Sequence, residues 1–190
     1  MPYEHSGWRN RKRRLPAEAY AQSGSVCSLT IAVRDRRAVF EDHDLAAAAV
    51  EVLRALSAKR RVPLFGYCVM PDHVHLVVGP SSECDIVTFV GQYKNLVLRA
   101  AWTRGVTGSF WQSSFWDHFL RSDEDLGAAV EYVLTNPVRR GLVIDWRDYP
   151  FAGSLTYDSG AQDQERAAGD KPPISAKEGS GNCVTWKSPR

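Results

Sequence analysis

The segment from Gly66 to Gly79, G-Y-C-V-M-P-D-H-V-H-L-V-V-G, constrains the fold more than any other part of the chain. Two apolar, β-prone runs, Tyr67 to Met70 and Val74 to Val78, flank a Pro71-Asp72 turn signal. A join this short requires antiparallel pairing, because parallel neighbours need a crossover of about a dozen residues or more. Doubly wound parallel sheets are therefore excluded. The second run opens with His73 and His75 around one valine. Side chains alternate along a strand, so both imidazoles leave the same face, while the apolar residues fall on both. Such a pair is either half of a metal site or two awkward core residues, and alone it does not decide between them.

The flanking elements extend the hairpin into a fold. Ser25 to Arg34, rich in β-branched residues, reads as the first strand. Asp42 or Asp44 can cap a helix running to about Arg60, with Leu45, Ala48, Ala49, Val52, Leu53 and Leu56 at helical spacing. A second amphipathic helix covers about Asp85 to Thr103, and a fourth strand is expected over Phe115 to Arg121. A further helix starts near Ser122, within S-D-E-D, and runs to about Thr135, because Pro137 disfavours helical geometry at Asn136. The order β-α-β-β-α-β is that of an α+β, ferredoxin-like antiparallel sheet with an added C-terminal helix. Strands one and three are central in that topology, which puts His73 and His75 mid-sheet.

Composition sets the boundaries around this domain. A chain of 190 residues with 44% hydrophobic residues supports one core, expected over residues 25–157. Residues 1–24 form a basic arm containing Arg9, Arg11, Lys12, Arg13 and Arg14, although the net charge is only +2. Residues 158–190 turn to Gly, Ser, Pro and charge, the composition of a disordered tail or linker. Four cysteines without CxxC spacing fit neither a disulfide framework nor a cysteine zinc site, and free thiols fit a reducing, cytoplasmic setting. No long apolar run suggests a membrane partner.

A metal site at the histidine pair needs a third ligand. Asn136 is the best candidate, and Tyr132, four residues earlier, would share its helical face. Each has a plainer reading, as a core tyrosine and a turn asparagine; their joint occurrence with the histidines favours a site. Among other groups, Tyr93 reads as core, His118 faces either solvent or the site, and Asp72 is a turn residue or an acceptor for an imidazole N–H. Trp111, Phe115 and Trp116 could stack on bases or build core.

Taken together, these segments resemble a known family. M-P-D-H-V-H-L is similar to the HUH motif of single-tyrosine transposases, and E-Y-V-L-T-N-P-V-R-R-G-L-V to their catalytic-tyrosine helix, particularly in the REP-associated branch. F-W-Q-S-S-F-W-D-H-F-L-R and W-R-D-Y-P-F-A-G-S match that branch in place and order, so the resemblance covers about residues 9–157. It implies that His73, His75 and Asn136 hold Mg²⁺ or Mn²⁺ against the scissile phosphate, and that Tyr132 is the nucleophile. A 5′-phosphotyrosine intermediate would follow, on single-stranded or hairpin DNA with short inverted repeats. With DNA as substrate, the Arg9–Arg14 block, Arg139 and Arg140 become candidate phosphate contacts. The resemblance leaves monomer or homodimer open.

Two rivals remain at this level. A ferredoxin-like nucleic-acid-binding module with a structural or vestigial metal site would bind hairpins without cutting them. A metal-dependent hydrolase would release free ends without a protein adduct. The intact set of two histidines, tyrosine and asparagine favours the transposase reading over both.

Overall fold

Alternating burial along the strands and apolar stripes on the helices generate a two-sided sheet. The computed structural model describes residues 16–121 and 125–155. Strands β1 (Cys27–Ala32), β2 (Leu64–Met70), β3 (His73–Val78), β4 (Trp116–Phe119) and β5 (Ala152–Gly153) pair in the order β4-β1-β3-β2-β5, every pair antiparallel. The first four strands stand in the ferredoxin-like order, and β5 is an additional edge. The β2–β3 hairpin turns at Pro71-Asp72, as its sequence requires.

Helices α1 (Ala17–Ala21), α2 (His43–Arg60) and α3 (Ile86–Trp102) lie on one side. Asp42 caps α2, accepting from Asp44 and Leu45 N–H, while Asp85 caps α3 by accepting from Thr88 N–H. These helices bury Leu45, Leu53, Phe89, Tyr93 and Val97 against Leu29, Ile31, Tyr67, Val69, Val74, Leu76 and Val78 in the main core. Tyr20, from within the stretch read as a basic arm, is buried in that core and its hydroxyl donates to Asp117. The remainder of the arm, with Arg9, Arg11, Lys12, Arg13 and Arg14, lies outside the described residues, as does the tail beyond residue 155.

Helices α4 (Leu126–Leu134) and α5 (Asn136–Arg139) cover the opposite side of β2 and β3. Their boundaries differ from the sequence expectation at both ends. The cap of α4 is Asp125, the last residue of S-D-E-D, whose carboxylate accepts from Gly127 N–H at 2.7 Å. At the far end Asn136 is helical despite the proline after it, with a break only at Thr135. The Asn136 side-chain amide explains this, because its Nδ2 donates to the carbonyls of Tyr132 (2.8 Å) and Val133 (3.3 Å). Pro137, lacking an N–H, would otherwise leave the second of these without its helical donor. Among the described residues, no helix is long and apolar enough to cross a membrane.

Candidate active site

The site forms where α4 meets the second face of the sheet. Cross-strand partners share a face, so the register assigns His73, His75 and Val77 to the same side as Met70, Cys68 and Gly66 of β2 and as Ala32, Thr30 and Ser28 of β1. Cys68, Met70 and Val77 pack with Val130, Val133 and Leu134, and Tyr132 packs partly buried against the same cluster. The helix approaches closely because Gly66 has no side chain: a Cβ there would lie 3.1 Å from Val130 Cγ1. Tyr132 and the imidazoles thus occupy one face, and the Asn136 amide binds the Tyr132 carbonyl across the α4–α5 join.

The two imidazoles converge. His73 Nε2 and His75 Nε2 stand 2.8 Å apart, with the rings nearly perpendicular. Each ring is oriented through its other nitrogen: His73 Nδ1 meets the Asp72 carboxylate, and His75 Nδ1 meets Thr30 Oγ1 at 3.0 Å. Asp72 is in turn bound by Arg36 at 3.1 Å. Burial pushes the His75 pKa down to about 3, and the positive charges around His73, Arg36 and Arg140 act in the same direction. His75 is therefore a neutral imidazole at physiological pH. Burial alone would raise the Asp72 carboxyl, but the His73 hydrogen bond and the charges of His73, Arg36 and Arg140 outweigh it, leaving the group below its ordinary value.

This donor set fits a divalent cation. Asp72 accepting from His73 Nδ1–H, with His75 Nδ1–H donating to Thr30, would leave both Nε2 lone pairs aimed at a common point. Two lone pairs so close repel unless a proton or a cation lies between them. Asn136, its amide nitrogen committed to two carbonyls, keeps Oδ1 as its remaining acceptor. Among the described residues, no group of three His, Cys, Asp or Glu could hold a metal, so a third ligand drawn from them would be of another type, such as this amide. Cys68, directly across from His75, is not a competing thiolate, since burial raises its thiol far above neutrality.

Of the other candidates, Asp72 combines its two readings, as turn residue and imidazole acceptor. Arg139 stacks its guanidinium 4.3 Å over the Tyr132 ring, and Arg140 is close enough to act electrostatically on Asp72 and His75. Tyr93 is fully buried core, with Trp111 packed beside it and Phe115 at the core margin. Trp116 and His118 sit on the histidine face through their pairing with Thr30 and Ser28. Sequence reasoning missed Arg36 and Thr30. Asp35 and Arg36 both adopt the left-handed region, with φ of 56° and 54°. The cost is about 1–2 kcal/mol per residue. Hydrogen bonds from Val33 N–H to the Asp72 carbonyl and from Phe40 N–H to the Pro71 carbonyl hold the connector around the hairpin turn. The only sequence signal was an arginine-rich connector.

Comparisons with known proteins find relatives of the same fold and family. Residues 22–133 match the family described as transposase, IS200-like. The chain is 27% identical over 138 residues to the REP-associated tyrosine transposase of Escherichia coli K12, a match covering 70% of this chain and 78% of that protein. It is 28% identical over 100 residues to a Haemophilus influenzae protein provisionally described in the same words, spanning 54% of that protein's length. Among solved structures, a REP-associated tyrosine transposase bound to a REP hairpin superposes with a TM-score of 0.60, at 23% identity, over 92% of this chain and all of the other.

Proposed function

Because the chain belongs to the IS200-like transposase family, we propose that it cuts and rejoins single-stranded or hairpin DNA through Tyr132, with a divalent cation at His73, His75 and Asn136. The observation that carries this reading is the convergence of two oriented imidazoles on the sheet face beneath the Tyr132 helix. The solved relative bound to a REP hairpin supports hairpin DNA as the partner class.

Each residue has a physical task. The Tyr132 oxygen attacks phosphorus as its proton is lost to solvent, forming a bond to the 5′-phosphate side while the bond to the 3′-oxygen breaks and that oxygen takes up a proton from solvent, so no net proton is consumed. The covalent link keeps the phosphodiester energy, so a 3′-hydroxyl from another end can reverse the step and join strands without ATP. A phenol is a weak nucleophile at neutral pH, and charge accumulating on the phosphoryl oxygens must be neutralised. When bound, Mg²⁺ or Mn²⁺ supplies Lewis-acid polarisation of the phosphate, the amide oxygen suiting the first and the imidazoles the second. His75, a neutral imidazole, contributes no charge of its own, which leaves the positive charge of the site for the phosphate. Asp72 and Thr30 hold the imidazoles in the required tautomer. Arg139 and Arg140 supply positive charge beside the tyrosine and the histidines, and Arg9, Arg11, Lys12, Arg13 and Arg14 would extend phosphate contact outward.

The test is a labelled single-stranded or hairpin oligonucleotide from DNA flanking the gene, incubated with full-length protein and Mn²⁺. A protein–DNA adduct that resists denaturation is expected, absent in Tyr132→Phe and absent with EDTA. An adduct unchanged in Tyr132→Phe overturns the assignment of the nucleophile. Free ends without adduct favour a hydrolase, and salt-sensitive binding without cleavage favours a binding module.

A further inference from the structure

Among the described residues, helix α4 packs mainly on the β2–β3 half of the histidine face. One cross-strand row on that face, read from under the helix outward, is Cys68, His75, Thr30 and Trp116. Exposure rises along it: Cys68 is fully buried, His75 and Thr30 are partly covered, and the Trp116 side chain is 43% exposed. In the next row, Val77, Ser28 and His118 follow the same course from buried to half-buried. Trp116 and His118 stack nearly parallel, at an interplanar angle of 16°. The edge of the candidate active site therefore carries an aromatic shelf, the exposed Trp116 indole backed by the parallel His118 ring, whereas Trp111 from the same aromatic segment is buried.

We propose that this shelf is a single-strand platform, on which an unpaired nucleobase next to the scissile phosphate stacks against the Trp116 indole. The proposal rests on the reading of His75 and Tyr132 as part of a strand-cutting centre and adds what that centre reads beside the phosphate. Two strand spacings separate the Trp116 and His75 backbones, about 10 Å. A phosphate at the histidines, drawn by the positive charges of Arg36 and Arg140, would leave a neighbouring base within reach of β4 across β1. A paired base is already stacked between neighbours, so such a shelf selects single-stranded DNA with little preference for base identity.

The experiment measures binding of fluorescein-labelled dT₁₂ and of a blunt 12-base-pair duplex to the full chain and to Trp116→Ala, Trp116→Leu and Trp116→Phe. Loss of one stacked base predicts dT₁₂ binding weaker by about 5- to 150-fold in the Ala and Leu variants, with Phe within about threefold of wild type. Duplex affinity and the salt dependence of dT₁₂ binding should not change. The Leu variant retains apolar bulk without a π face, so an equal loss in Ala and Leu with rescue by Phe identifies stacking. Unchanged dT₁₂ affinity in both Ala and Leu, or an equal loss on the duplex, overturns the proposal. Adduct formation by the wild type is scored separately: no adduct with an intact Trp116 effect removes the strand-cutting reading but keeps the platform, and an adduct without that effect does the reverse.

Discussion

The two faces of β3 carry opposite chemistry on alternate residues. Val74, Leu76 and Val78 are fully buried against α2 and α3 with Leu29 and Ile31, on a face where the neighbouring polar groups, Tyr67 and Asp117, are bonded to Arg54 and Tyr20 from the helix side. On the other face, His73 and His75 hydrogen-bond to Asp72, Thr30 and each other, and only Val77 joins the apolar patch that attaches α4. The hydrophobic free energy that folds the sheet comes mainly from the first face, which leaves the second free to hold groups that contribute little to stability. A reaction surface can therefore be altered one residue at a time without dissolving the scaffold.

Exchanging one residue on each face separates the two roles most sharply. Leu76→Ala removes a fully buried side chain and should cost about 2–5 kcal/mol, read as a lowered urea midpoint. Its adduct formation should fall only with the unfolded fraction. His75→Leu replaces a neutral, largely covered imidazole by an apolar group and should leave the urea midpoint unchanged or raised. Adduct formation, however, should fall by more than the roughly 10- to 100-fold typical of losing a partner that orients a metal ligand. A His75→Leu protein as destabilised as Leu76→Ala would erase the distinction between the faces.

Some of this division was legible in the sequence and some was not, for physical reasons. A period of two places His73 and His75 on one side whatever the surroundings, and the Pro71-Asp72 join forces the hairpin. The helical spacing from Tyr132 to Asn136 likewise survived the break at Thr135, because the amide bond to the Tyr132 carbonyl bridges it. By contrast, Arg36 reaches Asp72 from 36 positions away through two left-handed residues that no local propensity favours. Thr30 is an ordinary strand residue until the register sets it opposite His75. Trp111 and Trp116 look alike in an aromatic-dense segment; whether each reaches the core or the sheet's open margin is decided by tertiary packing alone.

Acid should distinguish the faces next. An imidazole whose folded pKa is lowered to about 3, against an ordinary value near 6.5, resists protonation when folded and accepts it when unfolded. The unfolded state then binds more protons between those values, so stability is full above about pH 6.5 and is lost as pH falls toward 3. Asp72, held below its ordinary value, adds a loss in the same direction at the acid end of that window. Urea midpoints at pH 7, 5 and 4 should fall steeply in the wild type and more gently in His75→Leu. Parallel curves would mean that His75 is not a neutral imidazole in the fold.

A smaller effect should come from the contact that couples α4 to the sheet. In Gly66→Ala the new Cβ meets Val130 Cγ1 at 3.1 Å, so the Val130 side chain, or the helix with it, must yield by a few tenths of an ångström. Overpacking of this degree should cost about 1 kcal/mol. Where the strain is passed to the helix it reaches Tyr132, so adduct formation should fall by more than the stability change explains. Leu76→Ala offers the control, since it destabilises more but leaves the α4 contact intact.

The smallest expected change belongs to Arg139, whose guanidinium lies 4.3 Å over the Tyr132 ring at the protein surface. Removing an exposed cation–π contact should cost about 0.5–1 kcal/mol or less, so Arg139→Ala should unfold close to wild type. If the same charge also contacts a phosphate, the salt dependence of hairpin binding should lose about one unit of log–log slope, uniformly across sequences. Arg139→Lys should restore that slope, because a point charge suffices for it, while a planar cation stacked on the phenol is not fully replaced by an ammonium. A normal slope in Arg139→Ala with reduced adduct formation would make the arginine a positioning residue for Tyr132. It would then belong with the groups that orient the reactive face, as Asp72 and Thr30 orient the histidines.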